Sequence, residues 1–199
     1  NKHEDLLNFA HAADVPVING LTDLSHPCQI VADVMTIEER AGDISGKTIA
    51  WLGDGNNVCT SFVHAAEKLD FKLRIATPAA YAPRAQEVAA AKAAGADVEV
   101  SDDAQRAISG ADVVVTDTWV SMGDADNDAR MAAFPPYAVT DHMLARAAKD
   151  ALFLHCLPAH RGEEVADSVI DGPQSAVWDE AENRIHAQKA VLMWCLGKL

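Results

Sequence analysis

Short apolar runs of strand length alternate with longer stretches of helical composition along most of this chain. Lys47 to Leu52, Lys72 to Thr77, Asp97 to Ser101, Ala111 to Thr116 and Ala151 to Leu154 are the strand candidates. Cys59 to Leu69, the Ala-rich Pro83 to Gly95, Asp102 to Ile108 and Thr140 to Ala148 are the helices expected around them, with Gly95 closing the second. Nearly continuous apolar runs, rather than strict alternation, mark strands covered on both faces, and β–α alternation implies parallel pairing. The predicted fold is therefore α/β: a doubly wound, mainly parallel, Rossmann-like sheet with helices on both faces.

The two ends follow other rules. His3 to Ala13 has helical composition, Val15 to Asn19 reads as a short strand, and Ser25 or His26 starts a helix with Pro27 in its first turn and Ile30, Val34 and Ile37 as its buried stripe. Gly42 to Gly46 is a turn-rich joint, and an amphipathic helix from about Val177 ends near Leu196. The expected organisation is residues 1–42 as the tail of a second α/β domain, 43–178 as the sheet domain, and 179–199 as a terminal helix.

Composition narrows the picture. A hydrophobic fraction of 49% with no apolar run of spanning length describes a soluble globular protein, and no signal peptide opens the chain, which points to the cytoplasm. The first residue is Asn1 rather than Met, so the chain reads as the remainder of something longer. A net charge of −14 argues against a nucleic-acid partner and means that any anionic substrate needs locally concentrated donors. Cys28, Cys59, Cys156 and Cys195 form no CxxC pair, so reduced thiols are expected rather than a disulfide framework or a structural zinc site.

Candidate chemistry gathers where strands end. Pro158 stops the run that precedes it, leaving His155 and Cys156 at the carboxyl edge of the sheet, where open α/β sheets bind ligands. The strand from Lys47 runs into Gly53-Asp54-Gly55-Asn56-Asn57-Val58; Val58 stands where a dinucleotide fingerprint has its third glycine, and the two asparagines suit a carboxylate or phosphate. Asp117 ends a third strand and offers an anionic partner for an ammonium, although such an Asp more often caps a helix. The acidic run Asp124 to Asp128 reads as an exposed lid. His26 and Gln29 share one side of a helix's first turn beside free backbone N–H groups, with a simple cap as the competing reading.

His26-Pro27-Cys28-Gln29, Gly53-Asp54-Gly55-Asn56-Asn57, Asp117-Thr118-Trp119-Val120-Ser121-Met122-Gly123, His155-Cys156-Leu157-Pro158 and Glu180-Ala181-Glu182-Asn183-Arg184 resemble, in order, the motifs of the ornithine carbamoyltransferase family. The resemblance implies transfer of a carbamoyl group from carbamoyl phosphate to the δ-amine of L-ornithine, giving L-citrulline and phosphate, in a trimer or multiple of trimers, with no metal or organic cofactor. His26, Gln29, Cys156 and Arg184 would be catalytic. His26, Pro27, Cys28, Gln29 and Arg184 would bind carbamoyl phosphate; Asn57, Asp117, Ser121, Met122 and Leu157 would bind ornithine. The family's phosphate-cradling Ser-Thr-Arg-Thr is missing, and the absent part is expected to be about 110–150 residues. Competing readings are a carbamoyltransferase for putrescine, a non-catalytic amino-acid-binding fragment, and a dinucleotide-binding domain.

Overall fold

A computed structural model describes residues 2–120 and 126–199. Five strands, β1 (Thr48–Leu52), β2 (Lys72–Ala76), β3 (Val98–Ser101), β4 (Val113–Thr116) and β5 (Leu152–His155), form one sheet in the order β3-β2-β1-β4-β5. All four pairings are parallel, with Leu52 in register with Thr116 and Thr116 with His155. The helices are α1 (His3–Ala12), α2 (Pro27–Ala41), α3 (Asn57–Leu69), α4 (Ala85–Ala93), α5 (Ala104–Ile108), α6 (Asn127–Ala133), α7 (Asp141–Leu144), α8 (Asp167–Ile170) and α9 (Val177–Cys195).

Successive strand residues feed opposite layers, as the pleat requires. Ile49, Trp51, Leu73, Ile75, Val113, Val115, Leu152 and Leu154 join Phe62 and Val63 of α3 and Ile37 of α2 in one core. Ala50, Leu52, Ala76, Val114 and Phe153 join Ile108, Phe134, Tyr137 and Val169 in the other. The doubly wound α/β expectation is met. Three local expectations are not. Val15 to Asn19 is irregular rather than a strand: it holds Pro16, which cannot donate to a ladder, and pairs with no strand of the sheet. The helix expected over 140–148 closes after Leu144, where Ala147 and Ala148 turn back to bond Leu144 and Ala111. Part of the acidic run expected as a loop is helix α6, whereas Asp124 and Ala125 lie outside the described residues.

At the other end, α9 lies against α2. Asn183 Nδ2 donates to Thr36 Oγ1 at 3.0 Å and to Glu39 Oε2 at 2.8 Å, and Arg40 pairs with Asp179. No described helix is long and apolar enough to cross a membrane.

Candidate functional site

Chain order reverses between β1 and β4, so a crevice opens outside their carboxyl ends. Thr116 Oγ1 donates to the Leu52 carbonyl at 2.6 Å and ties the two strands where they part. The turn after β1 presses against the segment before α4: Gly55 N–H donates to the Tyr81 carbonyl at 2.8 Å, and a Cβ on Gly55 would stand 2.2 Å from the Pro83 nitrogen. A protein contact thus accounts for the second glycine of the Gly-x-Gly turn, without a dinucleotide. Asn56 then caps α3, its Oδ1 accepting from Val58 N–H at 2.9 Å and Cys59 N–H at 3.1 Å.

Asp117 gathers three strand ends. One oxygen accepts from Asn56 Nδ2 at 2.7 Å; the other accepts from Thr118 N–H at 2.7 Å and from the Cys156 thiol at 3.1 Å. Burial, and then the Asp117 charge, push the Cys156 thiol well above its ordinary pKa, so the sulfur is a neutral donor. His155 does not share this role. It is wholly buried: Nδ1 accepts from Leu157 N–H at 3.0 Å, and Nε2 therefore carries the proton and donates to Glu164 at 3.1 Å. The expectation that imidazole and thiol both face the ligand edge holds for the thiol alone. His155 braces the turn in which Leu157 adopts φ +56° before a cis Leu157–Pro158 peptide.

The opposite wall comes from α2 and α9. Pro27 sits at the first helical position, and the His26 backbone N–H donates to Ser61 Oγ at 2.7 Å. Burial, reinforced by the Arg184 charge, lowers the His26 pKa to about 4, leaving a neutral imidazole at pH 7 whose Nδ1 has no protein partner. Gln29 is fixed at both ends of its amide. Its Oε1 accepts from Arg184, while Nε2 donates to Asp33 Oδ1 at 2.7 Å and Glu180 Oε1 at 3.0 Å. Glu180 Oε2 accepts the His155 backbone N–H at 2.9 Å. Burial raises the Asp33 pKa to about 7 and pushes Glu180 well above its ordinary value, so this pair retains a proton near neutrality.

These walls enclose a cleft of about 850 Å³. His26, Gln29 and Arg184 face Asn56, Asn57, Asp117, Cys156 and Leu157 across it. At the rim Arg130 bonds Asp54 at 2.9 Å, and its guanidinium lies 4.6 Å from the Tyr81 ring centroid. Residues 45–195 match the aspartate/ornithine carbamoyltransferase family's Asp/Orn binding domain, and residues 1–39 match its carbamoyl-P binding domain. The chain belongs to the aspartate/ornithine carbamoyltransferase family.

Among its relatives, the ornithine carbamoyltransferase of Caulobacter vibrioides is 61% identical over 199 residues, covering 100% of this chain and 64% of that protein. The ornithine carbamoyltransferase of Rhodopseudomonas palustris is 60% identical over 195 residues, covering 98% of this chain and 63% of that protein. The chain thus spans less than two thirds of the length of these relatives. The solved ornithine carbamoyltransferase of Pyrococcus furiosus superposes with a TM-score of 0.93 at 47% identity, covering 100% of this chain and 65% of that one. The anabolic enzyme from Campylobacter jejuni also gives 0.93, at 36% identity, over 100% of this chain and 68% of that one.

Within this carbamoyltransferase fold, the cleft brings together His26, Gln29, Asn57, Asp117, Cys156, Leu157 and Arg184 of the residues expected from sequence. Asn57 Nδ2 donates to the Thr22 carbonyl at 2.7 Å and so ties α3 to the loop before α2. Pro27 is exposed, and Cys28 turns to the Asn19 carbonyl at 3.4 Å, so neither side chain lines the described cleft. Ser121 and Met122 lie outside the described residues. Asn56, expected with Asn57 to hold an anion, instead caps α3 and donates to Asp117; sequence reasoning assigned no role to Asp33, Glu180, Tyr81 or Arg130. Asp33 had a signal, since it stands one helical turn after Gln29 on a face otherwise read as apolar. Tyr81 and Arg130 had none. Asp117, His155 and Cys156 offer donor atoms within 4.8 Å of one another, as do His160, Glu163 and Glu164. Both His155 nitrogens are already engaged, so the first group is a poor metal cage.

Proposed function

We propose that this family member takes part in transferring the carbamoyl group of carbamoyl phosphate to the δ-amine of L-ornithine, giving L-citrulline and phosphate. The observation that carries the reading is the placement of the Asp117–Cys156 pair, an anion holding a neutral thiol, directly across one cleft from neutral His26, Gln29 and Arg184. The names of the relatives agree with it. Asp117 supplies charge for an ammonium, and Cys156 and Leu157 flank the side-chain amine. Asn57, Ser121 and Met122 complete the amino-acid end. His26 and Gln29 polarise the carbamoyl carbonyl, and Arg184 donates to carbamoyl phosphate.

In this scheme the neutral amine attacks the carbamoyl carbon, a C–N bond forms, and the C–O bond to phosphate breaks; the amine's proton leaves with the departing group. Donors aimed at the developing oxyanion lower the barrier, with no covalent adduct on the protein. A neutral His26 is the form needed for this, because a protonated one beside Arg184 would be repelled. The same reading includes a trimeric assembly, a cytoplasmic setting and a place in arginine metabolism.

Citrulline formation by the 199-residue chain, with carbamoyl phosphate and L-ornithine against putrescine, is the test. Turnover selective for ornithine supports the proposal, and preference for putrescine moves the assignment. Ornithine binding without turnover makes the chain a binding fragment, and binding of neither substrate sinks the reading.

A further inference from the structure

The buried carboxyls of Asp33 and Glu180 do not line the cleft, yet Gln29, and through it Arg184, lead back to them. Asp33 is 1% exposed and Glu180 1% exposed. Glu180 uses both oxygens on N–H donors: Oε1 on Gln29 Nε2 at 3.0 Å and Oε2 on the His155 backbone at 2.9 Å. Asp33 uses Oδ1 on the same nitrogen at 2.7 Å, so two buried carboxyls accept from one Gln29 amide nitrogen. Two buried carboxyls held that close on one amide repel each other when both are ionised, and retaining one proton between them relieves it.

We propose that Asp33 and Glu180 share one proton and form a positioning pair, fixing Gln29, and through it Arg184, against the backbone at the end of β5 that carries Cys156. The inference rests on the carbamoyl-transfer reading of the cleft and extends it: the carbamoyl half and the amine half are set by one buried unit. The groups facing the pair are Gln29 from α2, Arg184 from α9, Asp117 from the end of β4, and Cys156 with the His155 N–H from β5. Asp33→Asn keeps an oxygen for Gln29 and offers an N–H to an ionised Glu180. Glutamine at 180 has one oxygen where two N–H donors need two, so one donor loses its partner.

The experiment uses the 199-residue chain with Asp33→Asn, Glu180→Gln and the double variant. Carboxyl ¹³C titration, Cys156 alkylation by iodoacetamide, and calorimetry with carbamoyl phosphate and with ornithine are the readouts. One of the two carboxyls stays protonated at pH 6. Each single variant retains one negative charge and alkylates within about threefold of the parent, whereas the double variant alkylates about tenfold faster at fixed pH. Asp33→Asn binds carbamoyl phosphate like the parent, and Glu180→Gln binds it about tenfold more weakly. Ionisation of both carboxyls below pH ~5, faster alkylation in either single variant, or unchanged binding in Glu180→Gln overturns the pair. If the parent binds neither ligand, the carbamoyl-transfer reading falls, while titration and alkylation still decide the shared proton.

Discussion

Trp51 and Glu180 are equally withdrawn from water, at 0% and 1% exposure, and they sit in interiors of opposite kinds. Trp51 belongs to the sheet layer, among Phe62, Ile75 and Val115, with its ring 5.8 Å from that of Phe62 and its one polar atom satisfied by the Asp54 carbonyl at 2.9 Å. Glu180 belongs to the seam between α2 and α9, where Gln29, Asp33, Thr36, Asn183 and Arg184 are held by hydrogen bonds of fixed direction. Apolar burial is non-directional and tolerates any packing that fills the volume. A buried polar network fixes orientation but is costly once one member loses its partner. The sheet supplies stability; the seam aims the side chains that face the cleft.

That contrast is sharpest in the response to truncation. Phe62→Ala opens a void in the sheet layer and should cost about 3–5 kcal/mol, read as a lower urea midpoint. It leaves the titration of His26 and Asp33 unchanged. A loss under about 1 kcal/mol would mean that the layer collapses around the void and is less tightly packed than its burial indicates.

The seam should instead announce itself through pH. Asp33, raised to about 7, holds its proton longer in the folded chain than in the unfolded one, so its contribution falls as pH rises from about 4 to 7. His26, lowered to about 4, binds its proton only when unfolded across pH 4 to 6.5, so its contribution rises over that window. Glu180, raised by burial too, adds to the Asp33 slope, and both oppose that of His26 in the parent. In the Asp33→Asn, Glu180→Gln double variant only the His26 slope of the three remains, and stability should climb by about 2 kcal/mol between pH 4.5 and 6.5. Identical pH profiles for parent and variant would remove the retained proton from the seam.

Asn183→Ala is the mildest case. Thr36 Oγ1 still donates to the Ala32 carbonyl at 2.8 Å, and Glu39 is exposed to water, so both partners remain satisfied. A loss of about 1 kcal/mol is expected from chemical denaturation. A loss of 3 kcal/mol or more would show that the seam is more cooperative than a chain of pairwise bonds.

The sheet was legible in the sequence because its period and punctuation are local: Lys47 to Leu52 and Ala111 to Thr116 are apolar runs ended by turn residues wherever they are read. The site was legible at residues whose type names their chemistry, such as Asp117 and Cys156 before Pro158. It was not legible where burial decides the role. His155 and Cys156 are neighbours of comparable promise on paper, and only the twist of the strand end sends one inward to Glu164 and the other into the cleft. Glu180 was visible within Glu180-Ala-Glu-Asn-Arg184, but nothing local separates it from Glu182, which is exposed. Helix α6 was obscured by the acidic residues that open it.

The bonds across the seam also set an order of events in synthesis. Gln29 meets Glu180 across 151 residues of chain and Arg184 across 155, whereas strand neighbours β1 and β2 are separated by a single helix. Contacts that far apart in sequence close late. A chain emerging from its N-terminus can complete all five strands while Gln29 has only Asp33 and still lacks its two partners on α9. The cleft is therefore completed only once α9 is made, because α9 brings Glu180 and Arg184 to the wall opposite Cys156.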